Sequence, residues 1–121
     1  MKMEEMDNSV TMMQQMDSNE GPVVLINLFH IPIKDTDVFL AAWTKDSAVM
    51  QKQPGYISTQ LHRGIAGSEA FLNYAVWESA AAFQAAFTNP QFQSALSNYP
   101  SDVEFSPHLF RKVAIPNVCV A

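Results

Sequence analysis

Apolar and polar residues alternate along four stretches of the chain. This pattern predicts four β-strands, because successive side chains of a strand point to opposite faces. The predicted strands span residues 23–31, 56–65, 70–78 and 103–113. Between the first two, apolar residues recur at helical spacing in a segment that Asp35 or Thr36 can cap and that ends near Gln53. A second helix follows the cap Ser79, and a further short helix begins at Asn89-Pro90.

The element order β-α-β-β-α-β predicts an α+β, ferredoxin-like domain with an antiparallel sheet and helices on one face. Helices cover only one face of such a sheet, yet both faces of the first and third strands are apolar. In the third strand the two opposing sets are Leu72, Tyr74 and Val76 against Phe71, Ala75 and Trp77. An uncovered apolar face indicates a partner, and we predict a homodimer in which two sheets face each other.

Residues 1–20 form a distinct N-terminal extension, and Gly21-Pro22 marks the start of the domain proper at residues 21–121. The extension holds six of the seven methionines, and its apolar residues recur at helical steps. The positions that predict a short amphipathic helix are Met6, Val10, Met13 and Met16. Two interpretations stay open: a flexible lid or arm that uses adaptable methionine contacts, and a frayed terminal segment.

Charge and cysteine content exclude several classes of function. The net charge is −5 and the basic residues form no run, which argues against nucleic acid or an anionic membrane surface as partner. Cys119 is the only cysteine, so neither an internal disulfide nor a cysteine metal cluster is expected, and a reducing, cytoplasmic location fits. We expect no membrane span and no secretory signal, because no apolar segment has the required length.

Two asparagines interrupt apolar strand faces. Asn27 shares a face of the first strand with Leu25 and Phe29, and Asn73 shares a face of the third strand with Trp77. If these strands are neighbours, both amides line one cavity. A buried amide needs a hydrogen-bond partner. The two amides and the indole N–H therefore bind an oxygen atom of an aromatic molecule, or the amides bond each other or a loop backbone, and the sequence leaves both readings open.

Several short segments occur in an order and spacing that resemble the antibiotic biosynthesis monooxygenase family, over residues 22–113. They are Asn27, Gln53-Pro54-Gly55-Tyr56-Ile57-Ser58, Leu61-His62-Arg63, Asn73-Tyr74-Ala75-Val76-Trp77-Glu78-Ser79, Ala82-Phe83, Asn89-Pro90-Gln91-Phe92 and Pro107-His108-Leu109-Phe110. Asn27, Asn73 and Trp77 match the three positions that line the site in the family's polyketide-oxidising members. The resemblance implies a dimeric α+β barrel that oxidises an electron-rich phenol or anthrone with O2 to a quinone-type product, without metal, flavin or haem.

Further site residues follow from residue type. The predicted aromatic walls of a substrate pocket are Phe29, Phe71, Phe83, Phe87 and Phe92. Asparagine cannot act as a base, and among the histidines we assign His62 as proton acceptor or polar gate, beside the alternative of a structural histidine. The three histidines lack metal-ligand spacing, so no metal site is predicted. The acidic residues, Asp46 among them, are read as solvated surface or helix caps.

Two alternatives compete with the oxygenase hypothesis. The same fold can bind a small hydrophobic or quinone-like ligand without turnover, as a stress or signalling protein. The family's haem-degrading branch adds a tryptophan and, about ten residues later, a haem-ligating histidine. This chain has Ala86-Phe87 and Leu96-Ser97 in those regions and no histidine between Arg63 and His108, which argues against haem degradation.

Overall fold

The computed structural model describes residues 1–121, which form one five-stranded sheet with helices packed on one face. The strands are β1 (Lys2–Met3), β2 (Val23–His30), β3 (Tyr56–Arg63), β4 (Ala70–Trp77) and β5 (Glu104–Phe110). The helices are α1 (Met12–Met16), α2 (Thr36–Met50), α3 (Ala80–Phe87) and α4 (Pro90–Ala95), with 3-10 turns at Ile33–Asp35 and Leu96–Asn98. The predicted α+β, ferredoxin-like architecture is confirmed. None of the helices combines the length and the apolar character that a membrane crossing requires.

The sheet order is β1-β5-β2-β4-β3, which makes β2 and β4 antiparallel neighbours at the centre. β3 and β4 form the expected hairpin. β1 runs parallel to β5 and pairs only with Glu104 and Phe105. Beyond those two residues β5 is an edge strand, and there Pro107 is tolerated because an edge position needs no ladder N–H donor. The central position of β2 and β4 brings the two asparagine-bearing faces together.

Two apolar clusters fill the space between the sheet and the helices. The first surrounds Trp77, which is 1% exposed, and includes Leu25 and Phe83. The second surrounds Phe39 of α2, which packs against Phe29 at 4.9 Å between ring centroids. The strand residues of both clusters lie on the sheet face that the sequence pattern predicts to be covered by helices.

Residues 1–20 pack onto the domain, and α1 is part of the core. Met12 and Met16 are 2% and 1% exposed, which excludes a frayed segment there. Gln15 anchors the helix, because its Oε1 accepts a hydrogen bond from the backbone N–H of Leu109 at 2.8 Å. The predicted apolar side of this helix is wrong at Met13, which is 60% exposed. Only Met12–Met16 is helical, and the residues at its two ends, Met12 and Met16, face the core.

The opposite face of the sheet, here called the outer face, has no helical cover. Its exposed apolar side chains include Leu28, Tyr74 and Phe110 at 44%, 38% and 42% exposure. The strand register also places all three histidines, His30, His62 and His108, on this face. The sequence-based expectation that both faces of the central strands are apolar therefore holds, and one of them is uncovered in a single chain.

The turn before β3 depends on a glycine that no other residue replaces easily. Gly55 has φ +87°, and an added Cβ would overlap the Cβ of Ala82. Gly67 is a matched control, since it has φ +74° but nothing within 4 Å of an added Cβ. We expect Gly67→Ala to reduce the free energy of unfolding by about 1–2 kcal/mol from backbone strain alone. We expect Gly55→Ala to reduce it by about 1–3 kcal/mol more, because α3 must also shift.

Urea unfolding of both variants at one protein concentration measures this difference. Equal losses at the two positions would show that the contact between the turn and α3 is unimportant for stability.

Candidate functional site

A cavity of about 90 Å³ lies between the inner face of the sheet and the helical layer. A buried water needs roughly 10–15 Å³ of such space, so the cavity has room for several water molecules or a small ring system. Fourteen of its twenty lining residues are hydrophobic, which favours an apolar guest. Its polar side chains are few and come from both the sheet and α2.

Asn27 and Asn73 lie side by side in the floor of this cavity. They are direct partners in the β2–β4 register, and both side chains line the cavity. Asn73 does not bond Asn27 or a loop backbone: its Oδ1 accepts a hydrogen bond from the Thr59 hydroxyl on β3 at 2.5 Å. That bond leaves the Asn73 amide N–H groups to other acceptors.

The Oδ1 atom of Asn27 is buried and has no hydrogen-bond partner. Its neighbour on the other side is Pro107, whose side chain offers no donor. A buried acceptor without a donor is unfavourable by about 1–3 kcal/mol. The floor of the cavity therefore retains hydrogen-bonding capacity that the protein itself does not use.

Trp77 and a row of aromatic rings form one wall. Trp77 lines the cavity and packs edge-on against Tyr56 and Phe83, at centroid distances of 5.5 and 5.6 Å. The row continues from Phe83 to Phe87 and Phe92 at 5.9 and 5.6 Å. Four of the five predicted wall residues line the cavity, namely Phe29, Phe83, Phe87 and Phe92.

Phe71 is the predicted wall residue that the structure places elsewhere. It points to the inner face, as the alternation predicts, but it packs against Phe39 of α2 at 5.3 Å. The Arg63 guanidinium lies 5.3 Å from the centre of its ring. Phe71 is 3% exposed and does not border the cavity, because α2 covers that end of β4. The pattern gave its face correctly but did not show where the helix lies over the strand.

His62 does not reach the cavity, and its assignment as proton acceptor or gate is contradicted by its position. It pairs with Leu72 on the outer face, where it is exposed and its Nδ1 lies 3.1 Å from the backbone oxygen of Gln60. The cause is a β-bulge between Tyr56 and Ser58, which inserts one residue and exchanges the faces of everything after it. Thr59 therefore faces inward and His62 outward. No histidine lines the cavity.

Asp46 lies in the roof of the cavity, so its prediction as solvated surface or a helix cap is wrong. It is 9% exposed, and its Oδ2 accepts a 2.7 Å hydrogen bond from the Tyr99 hydroxyl. Its Oδ1 is buried without a partner. The signal was present in the sequence: Asp46 lies four and seven residues after Ala42 and Phe39, on the buried side of α2.

Burial raises the pKa of Asp46 to about 6, although the hydrogen bond from Tyr99 acts in the opposite direction. Burial and the neighbouring carboxylate also raise the pKa of Tyr99 above its ordinary value, so this phenol stays protonated and donates. Asp46 is thus a carboxylate with a pKa close to neutrality in an apolar site, which is the property of a functional acid or base.

A surface groove between α2 and β3 offers a route to the cavity. Trp43, Ser47 and Thr59 line both the groove and the cavity. β3 is an edge strand, so no neighbouring strand blocks this side. Thr59, which donates a hydrogen bond to Asn73, thus also borders this entrance. No group of three or more His, Cys, Asp or Glu side chains is arranged to hold a metal ion.

Comparison with known proteins gives a consistent result. A sequence model described as antibiotic biosynthesis monooxygenase matches residues 22–97. The fold is similar to SnoaB, a cofactor-independent oxygenase from Streptomyces nogalater, with a TM-score of 0.72 and 21% identity over 81% of this chain and 99% of that chain. A candidate monooxygenase from Shewanella loihica PV-4 is 33% identical, with a TM-score of 0.66 over 78% of this chain and 97% of that chain. No curated protein matches the sequence.

Proposed function

This chain belongs to the antibiotic biosynthesis monooxygenase family, and we propose that it oxidises an electron-rich aromatic substrate, of the phenol or anthrone type, with O2 to a quinone-type product. We propose that the reaction needs no metal, flavin or haem. The observation that carries the proposal is the pairing of Asn27 and Asn73 beside Trp77 in an apolar cavity. SnoaB, which has the same fold, is described as a cofactor-independent oxygenase.

The proposed chemistry starts by removing a proton from the substrate. The resulting anion transfers one electron to O2, and the two radicals combine to a peroxide. Loss of water from the peroxide leaves a carbonyl, so one CH2 group and one O2 give one C=O group and one water. The protein has to stabilise the negative oxygen of the anion and keep bulk water away from it.

Asn27, Asn73 and the Trp77 indole supply the donors for that oxygen. An amide offers two N–H donors and an indole one. Because Thr59 occupies the Asn73 oxygen, the Asn73 N–H groups are held toward other acceptors. The surrounding apolar wall lowers the local dielectric, which strengthens each of these hydrogen bonds. The phenylalanine row supplies flat surfaces for an aromatic ring.

Oxygen uptake by metal-free protein tests the function. Protein dialysed against a chelator is mixed with an anthrone or a naphthol in air-saturated buffer, and an oxygen electrode follows the reaction. We expect one O2 consumed per anthrone and a quinone-type absorption in the product, well above the rate without protein. Consumption that needs added metal, or no consumption with any of a panel of anthrones and naphthols, would refute the proposal.

Ligand binding without turnover is the second candidate, favoured by the apolar cavity with an unused amide oxygen. Both tryptophans, Trp43 and Trp77, line the cavity, so Trp43→Phe is needed to isolate the Trp77 signal. A saturable change in Trp77 fluorescence with no oxygen uptake would favour a binding protein. Binding followed by oxygen uptake favours the enzyme.

We further propose that two chains pair through their outer faces, as a dimeric α+β barrel. Leu28→Asp is expected to separate them, because it buries a carboxylate against the partner's apolar sheet. Val38→Asp is a matched control, since Val38 is 54% exposed on α2. Light scattering should give twice the 13.5 kDa chain mass for the parent and for Val38→Asp, and the single mass for Leu28→Asp. A monomeric parent would contradict the dimer.

A further inference from the structure

We propose that Asp46 is the catalytic base of the cavity, taking the substrate proton on Oδ1 while the Tyr99 hydroxyl holds Oδ2. The inference rests on the proposed oxygenation, for which the family-matched residues supply no proton acceptor. His62, the residue favoured from sequence, lies on the outer face. Asp46 is the single carboxylate among the residues that line the cavity.

The position of Asp46 suits a base that works with Asn27 and Asn73. Asp46 belongs to α2 in the roof, whereas the two asparagines belong to the sheet in the floor. A flat aromatic guest between the two layers is therefore reached by the proton acceptor from one side and by the oxyanion donors from the other. This separation is useful, because the carboxylate and the developing negative oxygen repel each other when they are adjacent.

The hydrogen bonds of Asp46 leave one oxygen for a guest. Tyr99 donates to Oδ2 at 2.7 Å, which fixes the orientation of the carboxylate. Oδ1 is buried and receives no donor from the protein. A buried carboxylate oxygen without a donor is unfavourable, and an O–H or acidic C–H group of a substrate supplies the missing proton.

The ionisation behaviour of the site agrees with this geometry. With its pKa raised to about 6, Asp46 is ionised at neutral pH and is a stronger base than an ordinary carboxylate. Besides Asp46, the lining residues that carry an ionisable group are Tyr56, Tyr99 and the N-terminal Met1. No Lys, Arg or His side chain lines the cavity to compete for the carboxylate.

The proposed step balances in charge and atoms. The substrate O–H or C–H bond breaks, the proton moves to Oδ1, and the electron pair stays in the aromatic system. The net buried charge is −1 before and after, so no additional charge is desolvated. After O2 has added to the carbon, the Asp46 proton passes to the peroxide, and Asp46 is ionised again. It then accepts the remaining C–H proton while the O–O bond breaks and hydroxide leaves. Asp46 passes that proton to the hydroxide, so water and the carbonyl form and Asp46 ends ionised.

Anaerobic proton transfer tests the base separately from oxygenation. A hydroxyanthrone, whose anion absorbs at longer wavelength than its neutral form, is mixed at pH 7.5 with the parent, Asp46→Asn and the control Asp37→Asn. Asp37 is exposed in the first turn of the same helix. We expect the anion band with the parent and with Asp37→Asn, and loss of at least about nine-tenths of it with Asp46→Asn.

Admitting O2 then tests turnover. We expect kcat/KM of Asp46→Asn to fall about 10²–10⁴-fold at pH 7.5, as for loss of a general base. For the parent, kcat/KM should rise with pH through about 6, the pKa of Asp46. This rising limb of the pH profile should be absent in Asp46→Asn. Tyr99→Phe should move the limb to higher pH, because the hydrogen bond from Tyr99 lowers the pKa of Asp46. A purely structural role would not move the limb.

The outcomes separate the two proposals. An anion band without oxygen uptake supports Asp46 and refutes the oxygenation. Oxygen uptake with equal rates and equal pH profiles for the parent and Asp46→Asn refutes Asp46 and keeps the oxygenation. Equal anion bands in both proteins also refute Asp46. The absence of both a band and uptake in the parent refutes both proposals.

Discussion

Asn73→Ala is expected to lower kcat for the aromatic substrate about 10²–10³-fold, the usual consequence of removing one oxyanion donor. The effect should be on kcat more than on KM, because the hydrogen bond strengthens as negative charge develops on the substrate oxygen. Asn27→Ala should have an effect of the same order, since Asn27 is the direct neighbour of Asn73 across the β2–β4 pair. Steady-state oxygen uptake measures both variants.

Three further variants sharpen this prediction. Asn98→Ala changes an exposed asparagine and should leave kcat unchanged. Thr59→Val keeps the shape of the side chain but removes the hydrogen bond to Asn73 Oδ1, so the amide is free to turn and kcat should fall by a smaller factor than in Asn73→Ala. The double variant Asn27→Ala/Asn73→Ala should lose less than the product of the single losses, because both amides serve one oxygen. Full activity in Asn73→Ala would contradict the proposal that Asn73 donates a hydrogen bond to the negative oxygen of the substrate.

Asp46→Asn is expected to stabilise the protein by about 1–3 kcal/mol at pH 7.5, in contrast to its effect on activity. The rise of the Asp46 pKa from 3.8 to about 6 corresponds to about 3 kcal/mol, at 1.36 kcal/mol per pKa unit. The folded chain holds this proton more tightly than the unfolded chain. Its contribution to stability is therefore fully present below pH 3.8 and is lost as pH rises through about 6.

Asparagine removes the free-energy cost of burying a charged carboxylate, because its side chain is neutral at every pH. Its Oδ1 can still accept the hydrogen bond from Tyr99. The gain should shrink to under about 1 kcal/mol at pH 4, where the parent carboxyl is protonated in the folded state. Urea unfolding at pH 4 and pH 7.5, at one protein concentration, measures it. Asp37→Asn should show no gain at either pH, since its carboxylate is exposed near a helix N-terminus. A stability gain of Asp46→Asn that is equal at pH 4 and pH 7.5 would show that the raised pKa of Asp46 is not its cause.

The sequence pattern predicted the sheet and the central pair of the site well, because both follow from alternation. Once β2 and β4 are neighbours, Asn27 and Asn73 must share the face that also carries Trp77. The same reasoning gave an apolar outer face at Leu28 and Tyr74. These features depend on the two-residue period of a strand, which the sequence displays directly.

The features that sequence did not predict depend on single-residue shifts or on packing between layers. A bulge after Tyr56 reversed the faces of β3 and moved His62 outward, and nothing in the residues 56–58 marks it. Phe71 lies on the predicted face, but α2 and not the cavity covers it. Asp46 occupies the buried stripe of α2, where an acidic residue reads as a break in the stripe. Its partner Tyr99 lies 53 residues further along the chain, so only the tertiary structure joins them.

The irregularity after Tyr56 has a consequence for how this site can change in evolution. β3 has one neighbouring strand, so losing a single residue there would disturb only the ladder with β4. Losing the extra residue of the bulge, Ile57, would leave Thr59 facing inward and His62 facing outward, because their partners on β4 stay the same. Losing Gln60 would instead keep Thr59 in place and bring His62 opposite Asn73 on the inner face. One deletion in β3 beyond Thr59 would thus add an imidazole beside the Thr59 hydroxyl, without any substitution in the central strands. Relatives that differ by such a deletion are candidates for a different proton donor or acceptor within the same fold.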